Sequence, residues 1–308
     1  MDRVIELGIM DILFGHPTEK DKALLKPTIK GKIVGLLCLQ RPLVAFMGVV
    51  LSGVGVVFAL GGIPSLFEIL VGGVAAYSLT VSIHILNDIV DSERDKKKWA
   101  TRPLPSGLIK RSHAVAYFII MVAIGLYIAY TFFNWQTAAV GAITLLLGGI
   151  YTAFLRDRVG YMTLPWIPAL IVIGGWAAFS PSDILSNCIP WLLYFLFVLW
   201  QSFHIVLEEP YGLVPTKAFG VILKPREAVW VSIFLSILTL ALGVMIYFLV
   251  SLHWIYLVLI MGNSLMFWVS VIPLAKEPTS PRYAMKSFQV ATIYNIVLCL
   301  ALMLAILI

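Results

Sequence analysis

Between His84 and Gly107 the chain reads HILNDIVDSERDKKKWATRPLPSG, a dense cluster of charge directly after a long apolar run. Asn87, Asp91 and Asp95 fall at i, i+4 and i+8, so on a continuing helix they form one stripe of oxygen ligands, with Asp88 beside it. Such a stripe suits a hard cation. Magnesium uses one or a few carboxylates and completes its shell with water and substrate phosphate oxygens, which points to a diphosphate as the companion ligand. Lys96, Lys97, Lys98 and Arg102 follow at once and supply the opposite charge that a phosphate-bearing substrate needs. The plain alternative is a solvated loop beside a membrane, whose acids and bases neutralise one another.

The pattern N-D-x-x-D-x-x-x-D followed by R-P-L-P-S-G resembles the first signature of the UbiA superfamily of intramembrane prenyltransferases. The match covers Asn87, Asp88, Asp91, Asp95, Arg102, Pro103 and Gly107. The short gap from Asp95 to Arg102 is similar to the archaeal ether-lipid and chlorophyll-synthase branches. The resemblance implies Mg2+, an isoprenyl diphosphate and a lipophilic acceptor, with the allylic carbon passing from the first to the second.

The elements that must position these residues are written in the composition. The 308 residues are 60% hydrophobic and 12% charged, and the mean hydropathy is +0.96, as in polytopic membrane proteins and unlike soluble domains. Nine segments approach the length needed to cross a bilayer: 34–60, 66–86, 114–133, 136–155, 161–180, 189–207, 227–249, 253–272 and 287–308. The expected fold is an all-α membrane bundle of about nine transmembrane helices around a central cavity, with a polar cap on the cytoplasmic side. Residues 1–33 are mixed and polar, lack the apolar core of a cleavable signal, and read as a cytoplasmic arm with a short amphipathic turn at Ile5 to Phe14. Residues 34–308 then form a single transmembrane domain.

Lys and Arg set the orientation, because they concentrate in cytoplasmic loops. Segments 1–41 and 87–113 carry seven each, 156–158 two, and 217–226 and 276–286 three each, which accounts for all 22. The intervening loops near 61–65, 134, 180–187 and 251–253 carry none. The amino terminus is therefore expected inside and the carboxyl terminus outside, and the net charge of +6 needs no nucleic acid to explain it. Cys38, Cys188 and Cys299 lack metal-like spacing and read as buried structural thiols. The methionines and most aromatic residues read as helix packing and interfacial belts.

Further candidates lie on the same face of the membrane. Arg41, in Gln40-Arg41-Pro42, is either an interfacial anchor or a bidentate diphosphate ligand, and an Arg-Pro here resembles the family's first helix. His84 precedes Asp88 by four residues and reads as a packing or hydrogen-bonding neighbour. Tyr151, Arg156 and Arg158, in YTAFLRDR, match a Tyr-then-basic element of the family, although membrane anchoring explains the arginines as well.

The family's second motif, D-x-x-x-D-x-x-x-G with a later Thr and Gly, is represented by His204, Glu208, Gly212, Thr216 and Gly220. Spacing survives, but both aspartates are replaced. His204 and Glu208 share a helical face, and imidazole suits zinc, manganese or iron better than Mg2+. The pair is either a divergent metal site, an acid-base relay, or structural. The expected activity is Mg2+-dependent prenyl transfer, with Asp91, Asp95, His204 and Glu208 catalytic; the metal is given to Asn87, Asp88, Asp91, Asp95 and Glu208, and the diphosphate to Arg41, Arg102, Tyr151, Arg156 and Arg158. A membrane terpene cyclase and a non-catalytic lipid-binding or assembly protein are the alternatives.

Overall fold

The computed structural model describes residues 12, 13, 15, 17, 25–207, 217, 218 and 221–308. It is built almost wholly of helices: α1 (Ile29–Gln40), α2 (Pro42–Leu60), α3 (Leu66–Lys98), α4 (Arg111–Ile128), α5 (Trp135–Ile150), α6 (Arg156–Val159), α7 (Leu170–Phe179), α8 (Ile189–Val206), α9 (Pro225–Val250), α10 (Ile255–Lys276) and α11 (Pro281–Leu307). Strands β1 (Lys217–Ala218) and β2 (Val221–Ile222) make one short antiparallel ladder.

Among the described residues eight helices are long and apolar enough to cross a membrane. The ninth expected segment, 161–180, is broken into a 3-10 stretch, Tyr161–Trp166, and α7, and its apolar helical part, Thr163–Phe179, falls short of the others. Pro165 and Pro168 explain the break, since each removes a backbone donor and clashes with the preceding turn. Tyr194 of α8 donates its hydroxyl to the Trp166 carbonyl at 3.0 Å, satisfying an acceptor that the interrupted helix leaves open. The protein is an integral membrane protein of all-α class. Of the amphipathic turn expected at Ile5 to Phe14, Ile12 and Leu13 are helical and the rest lies outside the described residues.

Two compact units divide the chain. The first comprises residues 1–49 and 66–153. Its core joins Leu39 of α1, Ala45 of α2, Val81, Ile85 and Ile89 of α3, and Ile109 before α4. The turn between α4 and α5 is tight, as the sequence suggests: Asn134 is extended, and its side chain caps α5 by accepting from the Thr137 amide at 2.8 Å.

The second unit comprises residues 50–65 and 154–308. Here the later part of α2 crosses α7 at glycine: a Cβ added to Gly55 would lie 2.1 Å from the Val172 carbonyl oxygen, and one on Gly175 2.1 Å from that of Ser52. Backbone approach that close excludes every other residue. Several buried polar side chains in this unit find partners across helices, as a lipid surrounding favours. Trp200 donates to the Ala291 carbonyl at 2.9 Å, Asn263 to that of Tyr294 at 2.9 Å, and Ser264 shares a 2.9 Å hydrogen bond with the Tyr294 hydroxyl. Cys38 and Cys299 are buried, but Cys188, expected to be buried as well, is exposed, because it stands outside the first turn of α8.

Candidate active site

Helix α3 extends 33 residues, about 50 Å, well beyond the roughly 30 Å of a bilayer's hydrocarbon. No Gly or Pro interrupts it after Gly73, so the helix continues from its apolar part, 66–86, into the charged turns 87–98. The expected stripe is thereby realised on one rigid rod. Asp88, Asp91 and Asp95 are all buried despite their charge, while Asn87 is half-buried.

Buried carboxylates require partners, and two arginines provide them. Arg41 Nη2 donates to Asp88 Oδ1 at 2.5 Å; Arg102 Nη1 donates to Asp95 Oδ2 at 2.6 Å and lies 3.8 Å from the same Asp88 oxygen. The result is a continuous chain of alternating charge, Arg41, Asp88, Arg102, Asp95. Among the described residues no three His, Cys, Asp or Glu side chains converge into a ready-made metal cluster. The donor set nevertheless fits a hard cation: Asn87, Asp91 and Asp95 offer only amide and carboxylate oxygens from one helix face.

Each arginine is delivered by a distinct local device. Arg102 follows the helix end, where its amide donates to the Trp99 carbonyl at 3.0 Å and its guanidinium stacks 5.1 Å from the Trp99 ring centroid. The R-P-L-P-S-G turn then closes on itself: the Ser106 amide donates to the Arg102 carbonyl, and Gly107 to that of Leu104, each at 3.0 Å. Gly107 takes φ 75°, a conformation that favours glycine, and Leu104 and Ile109 anchor the turn in the core. Arg41 sits at the joint between α1 and α2 in left-handed backbone, φ 50° and ψ 62°, directly before Pro42. For a residue with a Cβ this costs on the order of 1–3 kcal/mol and marks a site where geometry is imposed. Its Nε is buried and has no acceptor among the described residues. From the amino-terminal arm, Gly15 packs against the Arg41 stem, and Pro17 accepts a hydrogen bond from the Thr101 hydroxyl.

Tyr151 is buried in this first unit, at the start of a π-helical turn, Tyr151–Leu155, a distortion common at functional sites. Arg156 and Arg158 belong to the second unit, where Arg156 is buried and Arg158 exposed. His84 is half-buried on α3.

His204 also lies in the second unit, in the last turn of α8. Its Nε2 is 3.1 Å from Thr292 Oγ1, which itself donates to the Phe288 carbonyl at 3.0 Å. With that hydroxyl donating to Phe288, its oxygen is placed to accept from Nε2 in the tautomer whose lone pair is on Nδ1. The ring stacks on Trp200, with centroids 5.4 Å apart, and lies 4.3 Å from that of Phe288. Glu208, Gly212, Thr216 and Gly220 lie outside the described residues.

Two features escaped the sequence reading. Asp88 is an arginine-binding carboxylate, which the spacing of Arg41 and Arg102 along the chain does not reveal. Gln40, noted only as a neighbour of Arg41, is hydrogen-bonded at both ends of its amide: the Tyr77 hydroxyl donates to Oε1 at 2.7 Å, and Nε2 donates to the Tyr117 hydroxyl.

The chain is similar in sequence and in fold to known proteins. The chain is 32% identical over 132 residues to digeranylgeranylglyceryl phosphate synthase of Sulfurisphaera tokodaii, a match covering 42% of this chain and about half, 47%, of that enzyme. It is 27% identical over 307 residues to protoheme IX farnesyltransferase of Synechococcus sp. (strain JA-3-3Ab), covering 94% of this chain and 86% of the enzyme. Its fold matches a structure of a UbiA homologue from Archaeoglobus fulgidus bound to DMAPP and Mg2+, with TM-score 0.63 and 18% identity over 85% of this chain and 98% of that one. The profile of the UbiA prenyltransferase family spans residues 46–305, and the chain belongs to that family.

Proposed function

We propose that this protein transfers an isoprenyl group from an isoprenyl diphosphate to a lipophilic acceptor within the membrane, with Mg2+ as its cofactor. The observation that carries the reading is the buried alternation of Arg41, Asp88, Arg102 and Asp95 beside the oxygen stripe of α3. The residues of the Asn87, Asp91 and Asp95 stripe hold the ion, which when bound supplies positive charge to the departing diphosphate. Arg41 and Arg102 grip the diphosphate oxygens, with Tyr151, Arg156 and Arg158 as further ligands; the buried Arg41 Nε is a donor ready for an oxyanion. Asp88 holds the two guanidinium groups in place before substrate arrives.

In the transfer, the allylic C–O bond breaks and the diphosphate leaves with the electron pair. The acceptor's nucleophilic atom bonds to the allylic carbon and gives up its proton. Apolar helix surfaces keep water from the carbocation. His204, in the tautomer that keeps the Nδ1 lone pair, takes the role of proton acceptor together with Glu208.

Residues 34–308 act as one catalytic domain with residues 1–33 as an arm. The amino terminus, the 87–113 segment and the 208–226 segment face the cytoplasm and the carboxyl terminus faces outside, supported by the one-sided distribution of Lys and Arg. The test is to incubate the purified protein with radiolabelled geranylgeranyl diphosphate, Mg2+ and extracted membrane lipids. A labelled lipid that forms only with acceptor supports transfer. A hydrocarbon formed without acceptor would instead establish a cyclase, and unconsumed diphosphate a binding protein.

A further inference from the structure

The left-handed backbone of Arg41 needs a cause close to the backbone itself. Its ion pair with Asp88 constrains the far end of a long side chain and leaves the joint between α1 and α2 free to relax. Pro42 disfavours helical backbone at Arg41, whose amide caps α1 on the Cys38 carbonyl; a strained conformation persists only where its surroundings over-determine it, and a further restraint lies one residue earlier. The Gln40 amide is held through its oxygen by Tyr77 of α3 and through its nitrogen by Tyr117 of α4. The last residue of α1 is thus tied to two other helices of the same unit.

Tyr77 and Asp88 are 11 residues apart on α3, close to three whole turns, so both stand on the same face, about 16 Å apart along the axis. Consecutive residues at the joint therefore attach to one rod at two heights: Gln40 at Tyr77, Arg41 at Asp88. Two anchors on one rigid helix fix both the height and the rotation of the joint. A single anchor would leave it free to pivot. An uninterrupted helix running through residue 41 would point the Arg41 side chain elsewhere; with the chain turned before Pro42, the clamp on Gln40 holds the joint at the height and rotation that bring the guanidinium to Asp88.

We propose that Gln40, clamped between Tyr77 and Tyr117, is a positioning residue that sets the Arg41 guanidinium for the substrate diphosphate. The proposal rests on Arg41 being a diphosphate ligand, and its test separates the two. Full-length protein in lipid nanodiscs is titrated calorimetrically with geranyl diphosphate in the presence of Mg2+. The variants are Gln40→Leu, Tyr77→Phe and Tyr117→Phe, each made with Arg41 intact and with Arg41→Ala. With Arg41 intact, Gln40→Leu weakens binding about tenfold, the scale of a hydrogen-bonded device lost from a part-buried site. Each Tyr→Phe variant weakens it by about threefold on the same reasoning. In the Arg41→Ala background none of the three has a further effect, because the clamp acts only through that side chain.

Equal weakening in both backgrounds, or none in either, overturns the positioning role while leaving Arg41 a ligand. Unchanged binding by Arg41→Ala alone overturns the diphosphate assignment and this proposal with it. Should Gln40→Leu fail to fold, the two Tyr→Phe variants, which keep side-chain volume, decide the matter by the same comparison.

Discussion

Asp88 and Asp95 stand seven residues apart on α3, and Arg102 reaches both, so the three buried aspartates of this helix have different work despite their similar burial. Asp88, engaged by two arginines, is the keystone of the charge alternation. Replacing it with leucine leaves two buried guanidinium groups short of a counter-ion, and the melting temperature in detergent is expected to fall by the equivalent of about 3 kcal/mol. Asp91, by contrast, is assigned to the ion. Asp91→Asn is expected to keep the melting temperature within a few degrees while lowering turnover by on the order of 10²-fold, because the charge it loses stabilises the leaving group. Near-normal product formation by that variant would remove Asp91 from the site. The stripe itself was legible because a helical repeat of 3.6 residues puts i, i+4 and i+8 together whatever the rest of the fold does. The partners of Asp88 were not, since Arg41 lies 47 residues away and its unusual backbone leaves no mark in a one-dimensional pattern.

At the level of elements, most helix positions follow from hydropathy alone, and the exception is instructive. Segment 161–180 has the apolar length of a span, yet Pro165 and Pro168 divide it, because missing donors outweigh hydrophobicity in deciding whether a helix continues. Helix contacts are less legible than helices. Nothing in the sequence distinguishes Gly55 and Gly175 from the other 21 of the 23 glycines, but these two bring α2 and α7 to backbone contact within the second unit. Gly55→Val is expected to force the two helices apart and to cost about 2 kcal/mol or more. Lower yield of folded protein and a reduced melting temperature would register it, whereas Gly61→Val, where an added Cβ meets nothing within 4 Å, tests only the cost of its positive φ of 60°.

For the whole molecule, the distribution of charge makes the sharpest forecast. Cysteine introduced at Lys98 or Lys224 is expected to resist an impermeant thiol reagent applied outside intact cells and to react once the membrane is opened. The exposed native Cys188 serves as the control, since it flanks a loop expected to face outward and should react from outside. Reaction of position 98 from outside would invert the topology. Fold class and membrane character were fully readable, because a chain that is 60% hydrophobic has few other ways to satisfy its backbone. The second motif was readable only as spacing. The packing of His204 between Trp200 and Phe288 depends on α11, a helix that begins 77 residues later.

The length of α3 has a consequence for the lipid. Its apolar portion, residues 66–86, measures about 31 Å, nearly the thickness of an average bilayer's hydrocarbon. The carboxylates begin at the next turn, so their height at the interface is set by how well that portion matches the surrounding acyl chains. In a thinner bilayer the helix must tilt, and in a thicker one the interface must dimple to meet it. Acyl-chain length is thereby expected to act on catalysis: activity measured in bilayers of graded thickness should peak near about 30 Å and decline on either side, with no change in any residue.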